Sequence, residues 1–214
     1  MANDPLVSVI IPSIGMSTLG EAVRSVLRQT YSNFEIVIRL DPRAPDDAGD
    51  DLPVDARVRV VNAENHEEIS VSRARALADC KGSFIAFLDD DNRYLEEKLE
   101  KQLAVATRAL SMGAEHVVVG SRVVAQDSFG GSQIVPRELK SADQKVSEYL
   151  FRRRQVRPGQ TALGATMLLC DRRLATDLAM VSPSSLHEDW EWALRAERQP
   201  NTVFVMVQIG RAHV

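Results

Sequence analysis

The composition of this 214-residue chain, with 44% hydrophobic and 26% charged residues, is typical of a soluble globular protein long enough for one domain. Its net charge of −4 argues against a general nucleic-acid-binding protein, and no apolar stretch approaches the roughly 18 residues of a transmembrane helix. The two cysteines form no metal-binding or redox motif, and no basic region precedes the first short apolar run. We therefore expect a cytoplasmic protein without a secretory signal.

Apolar strands alternate with amphipathic helices through the first 122 residues. The predicted strands are 6–12, 34–40, 57–61, 83–88 and 116–122. The predicted helices are 19–27, 70–80 and a long helix marked by leucines between 95 and 110. This alternation predicts an α/β fold with a doubly wound, mostly parallel sheet and helices on both faces. Ligands of such sheets bind beyond the carboxyl ends of the strands.

The pattern changes after about residue 125. A polar, glycine-containing segment, AQDSFGGSQIVPRE, comes first. We then predict a helix at 146–154, a strand at 162–170, a helix at 187–197 and a strand at 201–208. The sequence contains no repeat and no low-complexity tract. We interpret this half as an elaboration that completes the site and not as a separate domain.

Three aspartates follow the most apolar predicted strand directly, in the segment FIAFLDDDN at residues 84–92. Adjacent carboxylates repel one another, and a hard divalent cation such as Mg²⁺ or Mn²⁺ prefers oxygen ligands of this kind. The alternative is a turn or a helix N-terminus, since Asp and Asn cap helices well and a helical pattern follows. Three acids at the end of a buried strand favour a metal or ligand site.

Four segments, taken in order, resemble the family 2 glycosyltransferases, which have the GT-A fold. They are VSVIIPSIG, AVRSVLRQTYSNFEIVI, KGSFIAFLDDDN and HEDWEWALR. The resemblance covers nearly the whole chain. It implies an inverting enzyme that moves a sugar from a nucleotide-diphosphate donor to an acceptor hydroxyl.

The resemblance assigns five residues to donor binding. Pro12 and Ser13 match the loop that frames the nucleotide base, and Asp41 matches the acid that accepts a hydrogen bond from the imide N–H of the base. Arg73 matches an arginine near the nucleotide or its phosphates, and Asp90 is placed to hold the ribose. Without the resemblance, Asp41 is equally well explained as a turn residue before a proline, and Arg73 as part of a solvated helix face.

The resemblance also assigns the metal ligands and the catalytic base. Asp89 and Asp91 match a DxD element that binds Mg²⁺ or Mn²⁺, and Glu188 and Asp189 match an acidic pair in which the aspartate is the general base. A helix beginning near residue 187 turns adjacent side chains about 100° apart, so we expect only Asp189 to point squarely into the cleft. The alternative for this pair is a helix N-terminus with favourable acids in its first turn.

The implied partners are a UDP-, dTDP- or GDP-linked sugar donor and a saccharide or lipid-linked acceptor of cell-surface polysaccharide synthesis. A lipid-linked acceptor would add peripheral association with the inner face of the membrane. Two alternatives stay open: a phosphohydrolase of the haloacid dehalogenase type, which also places DxD after an apolar strand, and a non-catalytic module that binds sugar nucleotides. Against the first, Asn92 and Arg93 stand where that class has a small hydroxyl residue.

We expect a single domain over residues 1–214, with a nucleotide-binding half at 1–122 and an acceptor-side half at 123–208. The last six residues, IGRAHV at 209–214, are the translation of ATCGGAAGAGCACACGTC, which matches a common sequencing adapter. We therefore expect these residues to be an artefact and the natural chain to continue further.

Overall fold

The computed structural model describes residues 4–126, 131–152, 161–179 and 187–209. Seven strands form the main sheet: β1 (Val7–Ser13), β2 (Phe34–Leu40), β3 (Val58–Asn62), β4 (Phe84–Phe87), β6 (His116–Ser121), β9 (Leu168–Asp171) and β10 (Thr202–Val207). Three short strands form a second sheet: β5 (Asn92–Arg93), β7 (Val123–Gln126) and β8 (Ser132–Val135). The helices are α1 (Leu19–Leu27), α2 (Ile69–Asp79), α3 (Lys98–Ser111), α4 (Val146–Phe151), α5 (Arg172–Asp177) and α6 (Glu188–Glu197).

The main sheet has the strand order β10-β6-β9-β4-β1-β2-β3. Every neighbouring pair is parallel except those of β9, which runs antiparallel to both β4 and β6. The prediction of a mostly parallel α/β sheet is therefore confirmed. The carboxyl ends of β1, β2 and β4 lie at one edge, and the antiparallel β9 begins at that same edge.

Alternate residues of β1 pack on opposite faces of the sheet, as the two-residue period of a strand requires. Val9 and Ile11 lie in a buried cluster with residues of α1 and α3, whereas Ile10 lies in a cluster with residues of α2, α4 and α6. Both faces of the sheet are thus covered by helices. The buried clusters fix the strand ends, and so fix the side chains that follow them.

The prediction for the segment directly before β9 is wrong in part. Residues 162–170 were predicted as one strand, but Ala165–Met167 form a short 3₁₀ turn and the strand begins only at Leu168. The helix predicted at 146–154 ends at Phe151, and residues 153–154 lie outside the described part of the chain.

The chain passes so close to β1 just before β4 that residue 82 must be a glycine. A Cβ atom on Gly82 would lie 2.6 Å from the backbone nitrogen of Ser8, closer than real Cβ contacts allow. The Gly82 N–H instead donates a 2.8 Å hydrogen bond to the Ser8 hydroxyl. Only glycine lets β4 enter the sheet here, and β4 carries the three aspartates at its other end.

Most of the predicted adapter-derived tail lies outside the described residues, which end at residue 209. In the described ranges, no helix has the length and apolar character needed to cross a bilayer.

Candidate active site

Four of the five residues predicted to bind the donor lie around one cavity of about 380 Å³ at the carboxyl edge of the main sheet. They are Pro12, Ser13, Asp41 and Asp90, and the predicted metal ligand Asp91 lines the cavity with them. Its other lining residues are Ile14, Met16, Arg43, His66, Glu67, Glu68, Ile69 and Ser72. Arg73 and Asp89, also predicted for the site, are not among the lining residues and lie in a second group described below.

Ser13 and Asp90 join the ends of β1 and β4 across the cavity. The Ser13 hydroxyl donates a hydrogen bond to the Asp90 carboxylate and accepts one of 2.9 Å from the Gly15 N–H. Burial, followed by repulsion from Asp91 and Asp89, raises the pKa of Asp90, although the Ser13 hydrogen bond opposes this shift. A bound cation or a hydroxyl donor would relieve this repulsion.

Asp41 is buried and contacts the side chains of Arg43 and His66. Its Oδ1 accepts from the Arg43 N–H and from Arg43 Nε, both at 2.9 Å, and its Oδ2 lies 2.8 Å from His66 Nδ1. Burial alone would raise the pKa of Asp41, but the hydrogen bonds from Arg43 and His66 outweigh it and hold this pKa below its ordinary value. The bond to the N–H two residues on is that of an Asx turn, so Asp41 is both a turn residue and a cavity residue.

Arg73 is the centre of the second group. Its side chain is 3% exposed, and its Nη2 lies 2.6 Å from Asp89 Oδ1. Its Nη1 lies 3.1 Å from Asp189 Oδ1 and 3.2 Å from Glu188 Oε1. A guanidinium with donors on two nitrogens can hold acids from separate elements at once, which a lysine ammonium does less well. Through Arg73, Asp89 at the end of β4 is linked to the acidic pair at the start of α6.

Glu188 and Asp189 both contact the Arg73 guanidinium, and which of the two acids points into the cleft stays a prediction. Adjacent helix residues do diverge, but the long Glu188 side chain bends back to the same nitrogen that Asp189 contacts. Asp189 Oδ2 also lies close to the 3₁₀ turn, 3.7 Å from the position that a Cβ atom on Gly164 would take. Burial raises the pKa of each carboxyl, and the Arg73 charge offsets the shift only in part. A carboxylate with a raised pKa is a stronger proton acceptor than a free one.

The two predicted metal ligands differ in their availability. Asp89 uses one oxygen for Arg73 and the other for the hydroxyl of Thr166, at 2.8 Å. Asp91 is exposed, and its carboxylate accepts a 2.8 Å hydrogen bond from the neighbouring Asn92 side chain. No three His, Cys, Asp or Glu side chains within the described ranges converge as a ready-made metal site. Asp91 therefore fits a cation that takes one carboxylate and completes its coordination with phosphate and water oxygens, as Mg²⁺ commonly does.

Sequence reasoning missed Thr166, Arg43 and His66. Thr166 stands inside the apolar run ALGATMLLC, which was predicted as a strand. Its hydroxyl was the one feature of the sequence there that could have indicated a polar contact. Arg43 stands two positions after Asp41 in the same turn, whereas His66 reaches Asp41 from the loop after β3, 25 positions away, and the sequence gives no indication of that second contact.

Comparisons with known proteins place this chain among the glycosyltransferases. The family model "Glycosyl transferase family 2" matches residues 8–173. The chain belongs to glycosyltransferase family 2 and carries the domain of that family. This assignment leaves the haloacid dehalogenase alternative without support.

Two relatives show the extent of the similarity. TuaG from Bacillus subtilis (strain 168), which is named for teichuronic acid biosynthesis as a glycosyltransferase, is 38% identical over 104 residues, covering 46% of this chain and 41% of that protein. The UDP-Glc:alpha-D-GlcNAc-diphosphoundecaprenol beta-1,3-glucosyltransferase WfgD from Escherichia coli is 28% identical over 144 residues, covering 64% of this chain and 54% of that protein. The chain thus spans about half the length of these curated relatives.

The fold matches a solved glycosyltransferase structure of the GT-A type. The crystal structure of residues 1–349 of S. aureus TarS in complex with UDP-GlcNAc has a TM-score of 0.64 and 16% identity, covering 97% of this chain and 59% of that one. At this identity the likeness shows the fold alone, and it confirms the predicted GT-A class.

Proposed function

We propose that the protein transfers a sugar from a nucleotide-diphosphate donor to an acceptor hydroxyl, with inversion at the anomeric carbon. The observation that carries the proposal is the Arg73 cluster, in which one guanidinium holds Asp89, Glu188 and Asp189 beside the cavity lined by Asp41 and Asp90. A proton acceptor and a donor-binding cavity then adjoin, as a single displacement at the anomeric carbon requires.

Donor binding is assigned to the cavity. Asp41, held ionised by Arg43 and His66, supplies an acceptor for the imide N–H of a uracil or thymine base. The base would lie in the cavity beside Pro12 and Ser13. Asp90 supplies an acceptor for a ribose hydroxyl. WfgD is named for UDP-Glc, and the TarS structure is a complex with UDP-GlcNAc. These two names support UDP as the first donor nucleotide to test, ahead of dTDP and GDP.

The donor diphosphate needs a counter-charge when it leaves. Asp91 would hold Mg²⁺ or Mn²⁺, which when bound stabilises negative charge on diphosphate oxygens. Asp89 contributes less as a ligand, because both of its oxygens already bind Arg73 and Thr166. Its place in the site is to orient Arg73.

Asp189 is proposed as the general base. At the start of α6, it accepts a 3.1 Å hydrogen bond from Arg73, and this bond orients its carboxylate. Its raised pKa makes it a better acceptor for the proton of the attacking hydroxyl. Glu188 shares the Arg73 nitrogen and steadies it. The acceptor is a saccharide or a lipid-linked saccharide, and the latter would bring the protein to a membrane surface.

The test is a transfer assay with UDP-, dTDP- and GDP-sugars, Mn²⁺, and saccharide and lipid-linked acceptors. Asp189→Asn keeps the shape of the side chain and removes the proton acceptor, so transfer should fall by roughly 10²–10⁴-fold with little change in donor affinity. Glu188→Gln is the matched variant and should lose less. Donor binding without turnover across all acceptors would support the non-catalytic module instead, and near-normal turnover by Asp189→Asn would reverse the assignment of the base.

A further inference from the structure

The 3₁₀ turn Ala165–Met167 and the glycine before it lie close to both acidic groups of the site. Thr166 is buried, and its hydroxyl donates a 2.8 Å hydrogen bond to Asp89 Oδ2. The Thr166 hydroxyl oxygen in turn accepts a 3.0 Å hydrogen bond from the Asp89 backbone N–H. On the other side of the turn, Asp189 Oδ2 would lie 3.7 Å from a Cβ atom on Gly164, the residue directly before the turn. One short segment of the chain thus approaches two acids that are 100 positions apart in the sequence.

The turn is fixed from behind by a buried polar group on α3. Met167 O accepts hydrogen bonds from Gln102 Nε2 at 2.9 Å and from Ser121 Oγ at 3.3 Å, with Lys98 Nζ at 3.4 Å. Lys98, Gln102 and Ser121 are all fully buried. Buried polar groups with satisfied hydrogen bonds hold one conformation, because any other leaves a donor or acceptor unpaired. The turn is therefore a rigid support and not a flexible loop.

We propose that Thr166 is a positioning residue, which sets the orientation of the Asp89 carboxylate and through it the aim of Arg73 at Glu188 and Asp189. The link runs through hydrogen bonds alone: Thr166 to Asp89 at 2.8 Å, Asp89 to Arg73 at 2.6 Å, and Arg73 to the acidic pair at 3.1–3.2 Å. Its effect on transfer rests on the proposed function, whereas the coupling between these side chains does not.

Loss of the hydroxyl has a specific consequence. Without it, the Asp89 carboxylate loses one of its two anchors and the Asp89 N–H loses its acceptor. The carboxylate then follows Arg73 alone, and the guanidinium is no longer held in one place relative to Asp189. A displacement of about 1 Å at a reacting group costs up to about 10²-fold in rate.

The activity test compares Thr166→Val, which keeps the shape and removes the hydroxyl, with Thr166→Ser, which keeps the hydroxyl. Thr166→Val should lower kcat by about 10-fold or more and leave the donor KM within about 2-fold, while Thr166→Ser should restore most of kcat. Thr107→Val is the matched control, since its hydroxyl bonds only to helix carbonyls of α3. Full kcat in Thr166→Val, or equal losses in the Val and Ser variants, would overturn the proposal.

A second test needs no turnover. Thr166→Val and Glu188→Gln form a double-mutant cycle, measured by urea unfolding. The two side chains are connected by hydrogen bonds through Asp89 and Arg73. We expect the two shifts in unfolding midpoint to be non-additive, and the cycle of Thr107→Val with Glu188→Gln to be additive. Additive shifts in both cycles would refute the positioning link. If the wild-type protein transfers no sugar from any donor, the proposed function fails and this cycle still decides the role of Thr166.

Discussion

Asp91 is the exposed member of the three aspartates, so its substitution should affect ligands more than folding. Asp91→Asn removes the charge that would hold a divalent cation. We expect Mn²⁺-dependent UDP affinity to fall at least about 10-fold, since even outer partners of metal ligands are worth that much. The measurement is UDP titration with Mn²⁺ and again with EDTA, where the two proteins should converge.

Asp50→Asn is the control for this prediction, because Asp50 is an exposed aspartate that does not line the donor cavity. It should bind like the wild type in both conditions. An Asp91→Asn protein with unchanged Mn²⁺-dependent affinity would remove Asp91 from the metal site.

At the scale of single residues, the sequence identified the acids but not their pairing. Asp89 and Asp91 look equivalent in the DxD pattern, yet Asp89 is bound by Arg73 and Thr166 whereas Asp91 remains exposed. Arg73 was expected near the nucleotide, and the structure places it against carboxylates. Its partner Glu188 is 115 positions away, and contacts at this separation depend on how the helices pack.

At the scale of elements, strands and helices with strong patterns were predicted closely. β2 and the predicted strand both cover residues 34–40, and α2 is displaced by one residue from the predicted 70–80. The run at 162–170 failed because nearly all of its residues are buried, and a short apolar run does not distinguish a strand from a buried turn. The turn there is stabilised by Gln102 and Ser121, which belong to other elements.

Helix α3 carries a buried lysine, Lys98, from which we predict how the stability of the protein depends on pH. Lys98 is fully buried, with a 2.6 Å hydrogen bond to Gln102 Oε1 and the Tyr94 ring 4.4 Å away. Burial lowers the pKa of Lys98 well below its usual value of 10.5 and raises the pKa of Tyr94 well above 10.0, so the phenol stays neutral. Between the lowered pKa and 10.5, the unfolded chain binds one more proton at Lys98 than the folded chain does. Stability from this group therefore rises with pH in that window.

Lys98→Met should remove this dependence. The slopes of unfolding free energy against pH should differ by up to about 1.4 kcal/mol per pH unit between wild type and variant inside the window. Urea unfolding from pH 7.5 to 9.5 measures it. Lys101→Met is the control on the same helix, since Lys101 is exposed and pairs with Glu97, and its curve should run parallel to that of the wild type. A parallel curve for Lys98→Met would show that the buried amine stays charged.

At the scale of the whole molecule, Arg73 connects the two predicted halves. It lies within the first 122 residues and contacts Glu188 and Asp189 in the second half. The single domain, the separate roles of its halves and the origin of residues 209–214 stay predictions. The sequence did not reveal that β9 inserts antiparallel between β4 and β6, because this order depends on packing across the sheet.

The two cysteines report on the integrity of this sheet. Cys170 is fully buried in β9, and Cys80 is buried at the end of α2. Burial raises the pKa of Cys80 to about 12 and that of Cys170 well above its usual value of 9.0. Since the thiolate is the nucleophile, neither side chain should react with a thiol reagent at pH 7.5 unless the chain opens.

We expect both thiols to react at once in urea and to react in the folded protein more slowly by roughly 10³–10⁶-fold, the usual fraction of unfolded chains. Cys80→Ala and Cys170→Ala assign each rate. Cys170 lies between two neighbouring strands and should follow global unfolding, whereas Cys80, at a helix end, should react at least as fast through local opening. A ligand that binds only the folded chain should slow Cys170 further. Rapid labelling of Cys170 in the native protein would contradict the central position of β9, and with it the edge on which Thr166, Asp89 and Asp189 meet.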